Sequence, residues 1–151
     1  LTELYNRRFV YKTFPKILAK AKKRNQRIQV FIVDVDDFKK INDSFGHEIG
    51  DSVLQSISTA LLQNTRKTDI VARWGGDEFL IILSCDDSLP FIERIEENLQ
   101  KISNEIRRNI SISIGNSIYP DNGGSLDDLI KNADKDMYKL KFSNKKGYPS
   151  I

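Results

Sequence analysis

The apolar residues along the chain follow two different periods. Val10, Phe14, Ile17, Leu18 and Ala21 recur at intervals of three and four, predicting a first helix that Pro15 kinks or restarts. Ile28 to Val33 is largely apolar and reads as a buried strand, extending to Val35 and ending in three acids within four residues, Asp34, Asp36 and Asp37. A short helix is expected around Phe38–Phe45, broken by Gly46, and then a longer one carrying Val53, Leu54, Ile57 and Leu61 on one face. Two further strands, 69–74 and 79–83, are separated by Gly75-Gly76, which fits a two-residue hairpin loop at positive φ. Ile92, Ile95, Leu99, Ile102 and Ile106 define an amphipathic helix, and Ile110, Ile112 and Ile114 alternate with serines as a strand with one buried face. After the 120–124 loop, Ser125 caps a last helix carrying Leu126, Leu129, Ile130, Ala133 and Met137. The order α-β-α-α-β-β-α-β-α predicts an α+β fold: a mostly antiparallel central sheet with helices packed against it.

At 151 residues, the chain reads as one domain, residues 1–151, long enough to bury a proper core and without internal repeats. A net charge of +3 with 30% charged residues describes an ordinary soluble protein. The charge is uneven. Lys16, Lys20, Lys22, Lys23, Arg24 and Arg27 crowd the first helical region and read as a solvated face. Without an aromatic stacking platform or a recognition motif, they do not argue for nucleic-acid binding. A single cysteine, Cys85, excludes an internal disulfide and suits a reducing, cytoplasmic compartment. It follows an apolar strand and reads as a packed residue, not a nucleophile. There is no signal peptide and no apolar run of membrane-spanning length, so no membrane contact is expected from this segment. Any anchor of a full-length protein would lie upstream.

The chemistry concentrates in Arg73-Trp74-Gly75-Gly76-Asp77-Glu78-Phe79. A tight turn there presents two adjacent carboxylates beside bare glycine backbone, where a ligand can approach closely. Neighbouring carboxylates repel unless something positive sits between them. A hard cation such as Mg²⁺, which takes oxygen ligands and often shares them with phosphates, is the economical explanation. Taken alone, Gly-Gly-Asp-Glu reads equally well as a solvated turn. The acids that close the first strand favour a shared metal.

Those two segments, Asp34 to Asp51 and Arg73 to Phe79, closely resemble the GGDEF family, the diguanylate cyclases. The resemblance extends, in family order, to residues 1–8, to Ser111-Ile112-Ser113-Ile114-Gly115 and to residues 133–141, covering essentially the whole chain. It implies a ferredoxin-like core related to the palm of nucleotidyl cyclases and polymerases. It also implies a reaction in which two GTP molecules condense to cyclic di-GMP, releasing two pyrophosphates. Each new bond requires a ribose 3′-hydroxyl to attack an α-phosphate. Divalent ions, Mg²⁺ or alternatively Mn²⁺, would clamp the attacking and leaving oxygens.

By the same resemblance, Asp34 and Asp77 match metal positions, Val35 offers a backbone carbonyl and Glu78 is an additional ligand. Asp77 also matches a proposed catalytic acid/base, a role weakened by metal binding because that depresses its pKa. Lys39 matches a cation close to the phosphates that would stabilise charge in the transition state. Asn42 and Asp51 match the guanine readers: the carboxylate accepts from N1–H and the 2-amino group, and the amide donates to base acceptors. Helix capping around Gly46 and Gly50 is their other reading. Lys141 and Lys145 match basic positions on the triphosphate, although Asn144-Lys145 stands where Gly-Arg is common, replacing a bidentate fork with a point charge. Glu3 replaces a glycine common in the opening motif. Asp36 and Asp37 are not assigned as ligands, His47 is expected to order its turn, and Trp74 and Phe79 to pack the hairpin.

Arg66-Lys67-Thr68-Asp69 stands at the spacing of the family's inhibitory RxxD site, where Arg forks onto phosphate or guanine and Asp accepts from guanine. The second arginine of that site has no clear match around Glu93–Glu97. The expected partners are GTP, cyclic di-GMP as product and inhibitor, and a transient homodimer, because the product is two-fold symmetric. An upstream sensor domain is also expected. A catalytically weak GTP or cyclic di-GMP receptor is the alternative function, and retention of Asp34, Lys39, Asn42, Asp51, Asp77 and Glu78 argues against it.

Overall fold

Every second residue of the first strand faces one helical layer and the residues between face another. This alternation organises the structure, a computed structural model describing residues 4–84 and 88–146. The elements are α1 (Arg7–Arg24), β1 (Ile28–Val35), α2 (Phe38–Phe45), α3 (His47–Gln63), β2 (Ile70–Arg73), β3 (Glu78–Leu83), α4 (Ser88–Ile106), β4 (Ile112–Tyr119) and α5 (Leu126–Lys146). The four strands form one sheet in the order β2-β3-β1-β4, with all neighbours antiparallel. This is the split β-α-β arrangement of a ferredoxin-like core, with α1 and α5 added.

Phe31, Val33 and Val35 of β1 join Phe79, Ile81 and Leu83 of β3 in a core closed by α3 and α4, through residues such as Leu54, Ile57, Phe91 and Ile95. Ile28, Val30 and Ile32 join Leu80 and Ile82 in a second core closed by α1 and α5, through Val10, Phe14, Leu129 and Met137. Burial on both faces explains why β1 is nearly continuous in apolar residues instead of alternating.

Pro15 does not restart the first helix, which runs unbroken through it. It is exposed, so the carbonyl that its ring leaves without a helical donor faces water, while Val10, Phe14 and Ala21 hold the opposite side to the sheet. Asn6 caps α1, accepting from Phe9 N–H at 2.9 Å, and Ser125 caps α5, accepting from Asp128 N–H at 3.2 Å. The last strand starts later and ends further on than the Ile110–Ile114 pattern suggests. Ile110 is buried just before it, its backbone paired with the Ser103 hydroxyl, and the ladder with β1 continues to Tyr119. Ile112 and Ile114 are only half-buried because β4 is an edge strand. Cys85 and Glu3 lie outside the described residues.

Gly115 sets the distance between β4 and α5. A Cβ there would stand 1.9 Å from the Ala133 carbonyl oxygen and 2.6 Å from Met137 Cβ. Both neighbours are fixed by the buried face of the helix, so neither can yield cheaply. Gly115→Ala should therefore destabilise the domain by about 2–3 kcal/mol through forced separation of α5 from the sheet. Equilibrium urea unfolding measures this, and a variant within about 0.5 kcal/mol of wild type would show that the helix accommodates the methyl group.

Candidate active site

The two-residue period carries two carboxylates to the same place. Asp34 follows Ile28, Val30 and Ile32 on the α1/α5 face of β1, and Glu78 precedes Leu80 and Ile82 on the same face of β3. The register pairs Asp34 directly with Glu78. Val35 N–H donates to the Asp77 carbonyl at 3.1 Å, which makes Asp34–Glu78 a non-hydrogen-bonded pair. In such pairs the side chains stand closest, with Cα atoms about 4.5 Å apart. Like charges in this position are destabilising. The Glu78 carboxyl is accordingly pushed above the usual glutamate range, first by burial and then by Asp34, Asp77 and Asp134, with Arg7 partly offsetting them.

Asp134, on α5 and within the 133–141 segment of the resemblance, is a member of this acidic end to which the sequence assigns no role. Asp36 is occupied elsewhere, accepting from the hydroxyls of Ser111, just before β4, and Ser113, within it, at 2.7 and 2.5 Å, which agrees with leaving it out of the ligand set. Asp37 is exposed, 4.0 Å from Lys40. Among the described residues no three acidic, imidazole or thiol groups are gathered tightly enough to form a complete metal cage. The donor set nevertheless suits a hard cation: half-buried carboxylates, one with its proton affinity raised by burial and then by its acidic neighbours, at a turn with open space beside it.

That turn differs from the two-residue loop expected from Gly75-Gly76. Strand β2 ends at Arg73 and β3 begins at Glu78, leaving four residues between them. Neither glycine lies in the left-handed region, and a Cβ on Gly76 would meet nothing within 4 Å. The turn is closed by Trp74 N–H donating to the Glu78 carbonyl at 2.8 Å. Arginines supply the rest of the bracing. Arg73 donates from Nε to the Gly75 carbonyl (3.3 Å) and from Nη2 to the Gly76 carbonyl (2.7 Å). Arg7 donates from Nε to the Trp74 carbonyl at 2.8 Å, with its guanidinium 4.5 Å over the Trp74 ring. Tyr5 adds a parallel bridge to β2, with Arg73 N–H donating to its carbonyl at 2.9 Å. Trp74 and Phe79 pack as expected, 8% and 0% exposed. Sequence reasoning missed Arg7 and Arg73, although both lie inside motifs it had singled out.

The proposed nucleotide-facing residues follow the end of β1. Lys39 is exposed on the first turn of α2, and Asp51 is exposed on α3. Asn42 is half-buried, and its Oδ1 is a buried acceptor with no partner. Neither Asn42 nor Asp51 caps a helix with its side chain: the residue before α3 is Gly46, at φ +88°, with no side-chain cap. That removes the capping alternative. His47, the first residue of α3, is exposed. Lys141 and Lys145 lie outside the residues whose side chains are described.

A separate cavity of about 500 Å³ opens at the other end of the β2–β3 hairpin, lined by Arg66, Asp69, Leu83, Phe91 and Arg94 among others. Arg66 N–H donates to Asp69 Oδ2 at 2.8 Å and Asp69 N–H to the Arg66 carbonyl at 3.0 Å, so the carboxylate is held by a local turn. Around Glu93–Glu97, where the second arginine of the inhibitory site has no clear match in the sequence, the structure offers Arg94 as a candidate. It lies within that interval, on α4, and the fold brings it to the same cavity as Arg66 and Asp69.

Residues 1–147 match the sequence model of the family described as "Diguanylate cyclase, GGDEF domain". Diguanylate cyclase DosC of Escherichia coli K12 is 38% identical over 149 residues, which is 93% of this chain and 32% of DosC. The crystal structure of the GGDEF domain of TpbB from Pseudomonas aeruginosa superposes with a TM-score of 0.86 at 33% identity, covering 95% of this chain and 93% of that one. The GGDEF domain of DgcB from Caulobacter crescentus, in complex with cyclic di-GMP, gives 0.78 at 25% identity, covering 94% and 88%. The chain spans about a third of the length of the curated relatives it matches. With its signature turn between β2 and β3 and its sheet and helices in the same arrangement, this chain belongs to the GGDEF domain family.

Proposed function

We propose that this domain is the catalytic unit of a diguanylate cyclase, condensing two GTP molecules into cyclic di-GMP and two pyrophosphates. The observation that carries the reading is the Asp34–Glu78 pair, two carboxylates placed opposite each other beside an open turn. A fold gains nothing from such a pair unless a cation joins it. Family membership and relatives named as cyclases support the same reading and do not favour the receptor alternative.

Asp34, Asp77 and Glu78, with the Val35 carbonyl, would hold divalent metal, Mg²⁺ or Mn²⁺, with phosphate oxygens of GTP completing the coordination. When bound, the metal supplies positive charge that polarises the attacking 3′-hydroxyl and neutralises the phosphates. Lys39, exposed at the start of α2, adds a mobile positive charge on the phosphate side, where Lys141 and Lys145 would contribute as well. Asn42 and Asp51 read the guanine edge, rejecting adenine by leaving buried polar groups unpaired. Arg7 and Arg73 hold the turn so that Asp77 keeps its place as GTP arrives.

One domain offers one such site and the product contains two linked nucleotides. Two copies therefore face each other transiently, each presenting a GTP to the other's 3′-hydroxyl. Product binds at the cavity of Arg66, Asp69 and Arg94, at the far end of the hairpin from the turn. Feedback through that cavity does not require occupation of the GTP site.

Incubation with GTP and Mg²⁺ at high protein concentration, followed by chromatography, should yield cyclic di-GMP and pyrophosphate. Asp77→Ala should lower the rate about 100-fold or more while leaving the circular dichroism spectrum unchanged. Wild-type turnover by that variant would remove Asp77 from the site. Arg94→Ala should weaken cyclic di-GMP binding, read by calorimetry, about tenfold through loss of a charged hydrogen-bond donor. Unchanged product affinity would leave Arg94 as a surface residue near an unrelated cavity.

A further inference from the structure

Gly50 is buried in the second turn of α3, a position that helix propensity gives to almost any other residue before glycine. Its φ lies outside the left-handed region, so backbone freedom is not the reason for glycine there. The reason is occupancy. A Cβ on Gly50 would stand 1.8 Å from Asn42 Oδ1, 2.9 Å from Asn42 Cγ and 3.2 Å from the ring tip of Phe38. The Asn42 amide thus fills the space that a side chain at position 50 would need. Its Oδ1 is buried there without a hydrogen-bond partner, which leaves the NH₂ end farther from Gly50 than the oxygen.

An amide inserted this deeply has little rotamer freedom. A methyl at position 50 would push it out of the gap and shift its donor end by a distance that hydrogen bonding does not tolerate. The Phe38 ring tip bounds the gap on one side.

We propose that Gly50 is a positioning residue for base recognition: its missing side chain seats the Asn42 amide against α3 and aims its NH₂ group at the base. This rests on the reading of Asn42 as a guanine contact. Gly50 itself touches no nucleotide. Its effect passes through Asn42, on the base and not on the phosphates, so substitution at position 50 changes the choice between GTP and ATP more than the strength of triphosphate binding.

The test is calorimetric titration of GTP and of ATP, each with Mg²⁺, into the dilute domain, where the two-copy reaction is suppressed. The proteins are wild type, Gly50→Ala, Asn42→Ala and the double variant. Gly50→Ala should weaken GTP binding about tenfold and leave ATP binding unchanged. In the Asn42→Ala background the same substitution should have no further effect beyond about twofold, because the group it displaces is already gone. Wild-type GTP affinity in Gly50→Ala, with GTP binding lost in Asn42→Ala, overturns the proposal and leaves the guanine reading standing. Wild-type GTP affinity in Asn42→Ala overturns the guanine reading itself. If Gly50→Ala does not fold, folding of the double variant supports the clash with Asn42, whereas failure of both, or additive losses of affinity, shows that position 50 acts through other neighbours and sinks the proposal.

Discussion

The antiparallel register between β1 and β3 puts Asp34 opposite Glu78, and the site depends on that pairing. Slipping it by one residue would turn the carboxylates to the opposite face and drive Val33 and Val35 out of their core. The same apolar alternation that holds β1 between two helical layers therefore fixes where the negative charge falls. Because folding raises Glu78's affinity for a proton above its unfolded value, the metal-free domain loses stability as pH rises through that titration. Positive charge bound at the turn would reverse the penalty. The cluster is a local conflict tolerated by a fold that is otherwise consistent, as expected of a functional site.

Around this conflict the turn is held from several sides. Arg73 closes it from within, Arg7 grips Trp74 from the start of α1, and Tyr5 extends β2 by a parallel bridge. The segment leading into the domain is therefore bonded directly to the hairpin that carries Asp77 and Glu78. At the opposite end of the same hairpin, Arg66 and Asp69 share a cavity with Arg94 of α4. The proposed substrate and product sites would thus occupy two ends of one hairpin, joined through β2 and β3.

Much of this was legible in the sequence because period and order are local properties. The Ile28–Val35 run, the helical repeats and the Ser125 cap each identify themselves within a few residues, and the α+β order follows from them. The Gly-Gly turn misled on geometry: glycines suggest positive φ, whereas here Gly76 leaves open space and the turn is held by arginines. Arg94 was hidden for a different reason. Its place depends on how α4 lies beside the segment joining α3 to β2, a tertiary relation that no spacing along the chain encodes. Gly50 carries no local signal of its own, because what sets it apart is the Asn42 amide lying where its side chain would be.

The central claim is that the Asp34–Glu78 pair is an unfavourable arrangement retained for a cation. Thermal unfolding of wild type and Glu78→Gln, first in metal-free buffer above neutral pH and then with added Mg²⁺, tests it directly. Without metal the variant should unfold at the higher temperature, because glutamine removes a charge that Asp34, Asp77 and Asp134 oppose. Mg²⁺ should then raise the midpoint of wild type more than that of the variant, by binding only the folded site. A lower midpoint for Glu78→Gln without metal, or equal Mg²⁺ shifts in the two proteins, would contradict the account.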